Sequence, residues 1–180
     1  TTNYFLLDKD QASAGTSTFT YAGPPPEPAN NDAPGAISLT VGAGCSGAPY
    51  TNEGSFQGAS ESVPNCGGNI FETVWYKFTA PASGAVRIST DLGTGNTNFD
   101  TRIGLYSTTD VNDYANFNLI ACDDDGGSTI GFGFLSVLYA TGLTSGATYY
   151  IQVGDNSVNT AGTFCLTVDE LNASMLASTN

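Results

Sequence analysis

Val74-Trp75-Tyr76-Lys77-Phe78-Thr79 is the stretch that sets the fold class. Side chains of an extended strand alternate between two faces, so Val74, Tyr76 and Phe78 point one way while Trp75 and Lys77 point the other. Val86-Arg87-Ile88-Ser89 repeats the pattern with Val86 and Ile88 on one side. One core face and one wet face are predicted. Working outward, short apolar runs rich in β-branched and aromatic residues recur between turn signals at 36–41, 55–59, 73–79, 85–90, 101–106, 117–122, 134–140, 147–153 and 162–168. No long run has a period of 3.6, so no helix is needed, and the spacing predicts an all-β, antiparallel sandwich.

The chain has 180 residues, enough for one medium domain with an appendage. Residues 1–22 hold two strand-like pieces, one around Tyr4-Phe5-Leu6-Leu7 and one alternating through Phe19 and Tyr21. Residues 23–29 follow as a linker whose Gly23-Pro24-Pro25-Pro26-Glu27-Pro28 run has locked φ angles and few N–H groups. A stiff spacer of this kind holds the first 22 residues away from the sandwich, which spans 30–170, with a tail at 171–180. A strand that cannot reach its own sheet can add to the edge of another subunit, so Tyr4, Phe5, Leu6, Leu7, Phe19 and Tyr21 are the candidate self-assembly residues and further copies of the chain the expected partners. The competing arrangement folds residues 3–21 back onto their own sandwich. In the tail, Asn172-Ala173-Ser174 formally matches a glycosylation acceptor.

Hydrophobic residues make up 40% of the chain and charged residues only 12%, with 22 glycines, so the polar surface is built from Ser, Thr, Asn and Gly. Lys plus Arg number 4 against 17 Asp plus Glu, a formal charge of −13 that would repel phosphate backbones and anionic lipid. The chain contains no His, which removes the commonest general base and the usual zinc ligand. Paired carboxylates for glycoside hydrolysis exist arithmetically among the acids, but nothing marks two of them out; no enzyme is expected. No run reaches the ~18 apolar residues of a membrane-spanning helix. Beginning at Thr1 without a charged-then-apolar leader, the chain reads as a mature, processed or trimmed product.

Four cysteines without a CxxC fit two disulfides formed in an oxidising, extracellular compartment. Three pairings are possible. Cys45 with Cys66 would close the glycine-rich segment between them, and Cys122 with Cys165 would tie an acidic turn to the last strand; these two pairs are the expectation.

That turn is Cys122-Asp123-Asp124-Asp125-Gly126-Gly127. Three adjacent carboxylates repel, so they stay solvated or recruit a cation. Calcium takes six to eight hard oxygen ligands and needs neither His nor Cys. Asp123, Asp124 and Asp125, with further oxygens from Asn31, Asp32, Glu72 and Asp100 at other strand ends, are the expected calcium ligands, although the EF-hand spacing is absent. Trp75, Tyr149 and Tyr150 are considered as a stacking platform for a sugar or protein partner, against a packing role in the core.

In Val74-Trp75-Tyr76-Lys77-Phe78-Thr79-Ala80-Pro81-Ala82-Ser83-Gly84, and more broadly from Asn30 to about Glu170, the chain resembles the bacterial pre-peptidase C-terminal domain family found in secreted multidomain proteins. Further matching pieces occur in order: Asn31-Asp32, Ala36-Ile37-Ser38-Leu39, Phe99-Asp100-Thr101-Arg102-Ile103-Gly104-Leu105-Tyr106, Ala121-Cys122-Asp123-Asp124-Asp125, the 143–153 run and the 162–168 run. The resemblance implies a jelly-roll-like sandwich without enzymatic activity. It also implies, from some relatives, calcium binding and adhesion to polymers such as collagen. Many relatives carry a Cys soon after the opening Asn-Asp; this chain has Ala33 and Pro34 there. Two functions follow as expectations. The first is a non-catalytic extracellular structural or adhesive subunit, assembled into filaments by N-terminal strand exchange and stabilised by calcium. The alternative is a calcium-dependent accessory binding domain that attaches a secreted enzyme or adhesin to polysaccharide or protein polymers.

Overall fold

The alternating stretch lies in the longest strand, β3 (Phe71–Thr79). In the computed structural model, which describes residues 23–64, 66, 68–91, 95–97, 100–127, 134–157 and 160–171, the other strands are β1 (Ile37–Ser38), β2 (Tyr50–Thr51), β4 (Val86–Ser89), β5 (Thr101–Ser107), β6 (Asn118–Asp123), β7 (Val137–Ala140), β8 (Thr148–Asp155), β9 (Thr163–Phe164) and β10 (Thr167–Glu170). The candidate self-assembly residues Tyr4, Phe5, Leu6, Leu7, Phe19 and Tyr21, and the 172–174 sequon, lie outside the described residues.

β3 pairs antiparallel with β8, β8 with β5, and β5 with β6, so the larger sheet has the order β1-β3-β8-β5-β6. A second sheet is ordered β10-β4-β7, and β2 pairs with β9 in a separate ribbon. The expected all-β sandwich is observed. Three local expectations are corrected: β1 runs parallel to β3 rather than antiparallel, 55–59 is irregular chain rather than a strand, and two one-turn 3-10 helices occur at Ala33–Gly35 and Tyr114–Asn116.

Between the sheets, Val74, Tyr76 and Phe78 of β3 meet Ile103 and Leu105 of β5, Tyr149, Ile151 and Val153 of β8, and Val86, Ile88, Leu138 and Val168 of the smaller sheet. Each such side chain contributes about 1.5–3 kcal/mol by leaving water. This is the alternation read from the sequence. The opposite face of β3 departs from expectation, because it is covered rather than wet. Trp75 is fully buried in a second cluster with Ala33, Ala36 and Tyr106, against which Tyr114, Phe117 and Tyr150 pack. An indole in the middle of a sheet exposes too much apolar area to be left in water, and the irregular segment 52–64 roofs that part of the face. The roof is fastened by Asn31, whose Oδ1 accepts from the Phe56 N–H at 2.8 Å, and by the Cys66–Cys122 disulfide. Tyr149 faces the main core and stacks on Phe78, on the side of the sheet opposite Trp75, so Trp75, Tyr149 and Tyr150 form no common platform.

The proline run does not stand clear of the sandwich along its whole length. The Pro25 and Pro26 carbonyls lie against Gly54, where a Cβ would sit 2.7 Å from the Pro26 oxygen and where φ is +78°, a conformation that favours glycine.

The disulfides are Cys45–Cys165 and Cys66–Cys122, with Cα–Cα distances of 5.8 and 6.0 Å, which overturns the expected pairing. The sheet order explains it. Cys122 is on the edge strand β6, which abuts β7, whereas Cys165 precedes β10 on the far side of β4. Cys122 also pairs in register with Gly104, on the outer face, while Cys165 is buried beside core residues Phe164 and Leu166. A disulfide needs Cα atoms within about 7 Å, which opposite edges and faces cannot supply.

Candidate metal centre

β5 begins at Thr101 and β6 ends at Asp123, and the two are neighbours with Ile103 opposite Asp123. That pairing sets Asp100, just before β5, beside Asp124 and Asp125, just after β6. One carboxylate oxygen from each of these three lies within 4.8 Å of the others. Oxygens about 2.3–2.6 Å from one calcium ion are up to about 5 Å apart, so the spacing fits a single ion. Asp100 and Asp124 are partly buried and Asp125 is exposed, which leaves a side open for additional oxygen donors.

Arg102 is fully buried beneath the cluster. Its guanidinium donates to Asp124 Oδ2 at 2.6 Å, to Asn156 Oδ1 at 2.6 Å and to the Asn69 carbonyl. One guanidinium opposes three carboxylates, so the cluster keeps an excess of negative charge. Burial, followed by the charges of Asp124 and Asp125, raises the Asp100 pKa above the usual carboxylate value against the pull of Arg102. Burial and then the Asp124 charge raise that of Asp125. Both shifts report a site where a further cation would be favourable. The donor set, all hard oxygen, suits calcium or magnesium rather than zinc.

The remaining sequence candidates do other work. Asp123 Oδ2 accepts from the backbone N–H of Gly126 and of Val137, each at 2.8 Å, and so shapes the turn. Both glycines of the motif are explained by close approach: a Cβ on Gly126 would sit 2.6 Å from Asp123 Oδ2, and one on Gly127 would strike the Leu135 carbonyl. Asn31 secures the roof at Phe56, and Asp32 lies against the Tyr114 hydroxyl. Glu72 sits on the irregular start of β3 with φ of +49°, and its carbonyl accepts from Asn52 Nδ2. Of these, the carboxylates of Asp32, Glu72 and Asp123 do not join the group of three.

Two buried charged side chains that organise their surroundings went unmarked in the sequence. Arg102 carried a faint signal, as one of only 4 cations and set within an apolar strand. Glu61 carried none, because 52–66 has no periodicity. Its carboxylate is buried under the roof, where Oε2 accepts from the Thr73 hydroxyl at 2.6 Å and the Gln152 amide at 3.2 Å, while Oε1 accepts from Trp75 Nε1 at 3.1 Å. Burial raises the Glu61 pKa, opposed by the hydrogen bonds from Thr73, Trp75 and Gln152 and reinforced by the Asp32 charge.

Comparison with protein-family models, with curated protein sequences and with solved structures finds no match to the chain. Two disulfides suit an oxidising compartment. No helix among the described residues is long and apolar enough to cross a membrane.

Proposed function

We propose that this chain is a non-catalytic, extracellular structural or adhesive subunit of the pre-peptidase C-terminal type. Calcium at Asp100, Asp124 and Asp125 rigidifies the ends of β5 and β6, and the N-terminal segment exchanges strands with neighbouring copies to build a filament. The observation that carries the calcium function is the convergence of three carboxylate oxygens within 4.8 Å above a buried guanidinium. In support of strand exchange, β6 is an edge of the larger sheet and exposes Leu119 and Ile120 side by side, an edge without Lys or Pro to deter an added strand. Electron microscopy of the full chain beside a version lacking residues 1–22 is the test. Filaments that vanish with the deletion are expected, and monomers from the full chain at high concentration would refute the assembly.

The accessory-domain function draws support from a different feature. Phe56, Phe134 and Tyr139 are each more than half exposed, and such rings can stack on a sugar or insert into a protein partner. Retention of the 1–22 deletion on collagen or polysaccharide beads would favour it.

A further inference from the structure

Beneath the roof, on the outer face of β3 and β8, four side chains are arranged around the Gln152 amide. Trp75 is directly opposite Gln152 in the β3–β8 register, and Thr73 lies two residues before it, within the register shift between Phe71 and Val74. Glu61 Oε2 touches both the Thr73 hydroxyl and the Gln152 amide nitrogen. On its other side, Gln152 Oε1 accepts from the Tyr106 hydroxyl at 3.1 Å. The amide orientation follows from its partners, since a carboxylate needs a donor facing it and the phenol donates to the oxygen. Thr73, Trp75, Tyr106 and Gln152 are at most 1% exposed and Glu61 is 7% exposed.

We propose that Thr73 and Gln152 join in an ester cross-link between β3 and β8, made once by the folded chain itself with Glu61 as the proton carrier. Glu61 Oε2 takes the proton from Thr73 Oγ1, which attacks Gln152 Cδ. The oxyanion forming on Oε1 is held by the Tyr106 hydroxyl. The same Glu61 oxygen then delivers the proton to Nε2, the Cδ–Nε2 bond breaks, and ammonia leaves. One C–O bond replaces one C–N bond, the carboxylate is regenerated, and no oxidant or cofactor is consumed.

The surroundings suit each step. A raised carboxyl pKa makes Glu61 a stronger base, and Trp75 Nε1 anchors its second oxygen so that the first stays between nucleophile and leaving group. Burial raises the Tyr106 pKa, which keeps its hydroxyl protonated as a donor. Exclusion of water protects the ester from hydrolysis. A covalent tie between central strands is also what a load-bearing subunit would use, although the chemistry does not depend on that function.

Intact mass of the full chain, measured denatured and with disulfides reduced, tests the cross-link without a variant. A mass below that of the sequence by one ammonia is expected. Trypsin cuts after Lys77, Arg87 and Arg102, so Thr73 and Gln152 fall on separate peptides that, once both disulfides are reduced and alkylated, should still travel as one and be released by alkaline hydroxylamine. Thr73→Val and Glu61→Gln should restore the sequence mass, while Thr73→Ser should keep the deficit. The full sequence mass in the unaltered, folded chain would overturn the proposal. A deficit that persists in Thr73→Val, or that maps to other residues, would overturn it equally.

Discussion

Replacing Arg102 by Gln removes a fully buried guanidinium from between Asp124, Asn156 and the Asn69 carbonyl. Breaking a buried ion pair from one side costs about 3–5 kcal/mol, because the partner charge is left without compensation. Asp124 keeps 19% of its side chain in solvent, which softens the loss, so about 3 kcal/mol is the better figure. For a domain of this size that corresponds to a fall in Tm of about 6–12 °C. Among the described residues the three carboxylates would then have no cation in contact with them, and calcium would gain in affinity what the guanidinium had been supplying. The Tm increment from saturating calcium should therefore be larger in Arg102→Gln than in the unaltered chain. Differential scanning calorimetry in chelator and in calcium measures both quantities. A variant that loses stability but gains no more from calcium than the parent would show that Asp100, Asp124 and Asp125 do not act together as ligands.

Glu61, Asp100 and Asp125 all have pKa values raised in the folded state, so between the folded and unfolded values the native chain binds more protons. Calcium-free stability should rise as pH falls from neutrality through the folded values, and stop rising near about pH 4, where unfolded carboxylates also protonate; calcium, competing with those protons, should flatten the acid side, as urea titrations at several pH values would show. Non-reducing peptide mapping should recover Cys45 linked to Cys165 and Cys66 linked to Cys122. Because the first pair spans 120 residues and the second 56, chain entropy assigns them about 5 and about 4 kcal/mol, so Cys45→Ala with Cys165→Ala should be the more damaging double substitution. Gly126→Ala forces a methyl group onto the Asp123 carboxylate and should cost about 1–3 kcal/mol by chemical denaturation, with the turn that carries Asp124 and Asp125 displaced.

The fold was readable because period-two alternation in β3 and β4 separates core from non-core directly, and Val74, Tyr76, Phe78, Val86 and Ile88 all sit where that period puts them. Alternation cannot say what covers the second face. Trp75 hinted that something must, but the roof is irregular chain with no periodic signal, and its hub Glu61 sits at the end of turn-forming residues. Disulfide pairing depended on which strands are neighbours across the two sheets, a property of topology that cysteine spacing does not carry. In the acidic turn, residue type alone made Asp123, Asp124 and Asp125 equivalent; the backbone distinguishes them, turning the first inward to cap Gly126 and Val137 and the next two toward Asp100. Oxygens at Asn31, Asp32 and Glu72 were plausible donors by chemistry, and are engaged or placed elsewhere by the paths of the linker and of the start of β3.

The thermal midpoint of the full chain in calcium, in magnesium and in chelator tests whether calcium binds at the ends of β5 and β6. At calcium concentrations about a hundredfold above the dissociation constant, linkage predicts about 2.7 kcal/mol of added stability, a rise of about 5–11 °C. Magnesium should give less, and Asp125→Asn with Asp124→Asn should remove most of the rise. A midpoint identical in calcium and in chelator would contradict the claim.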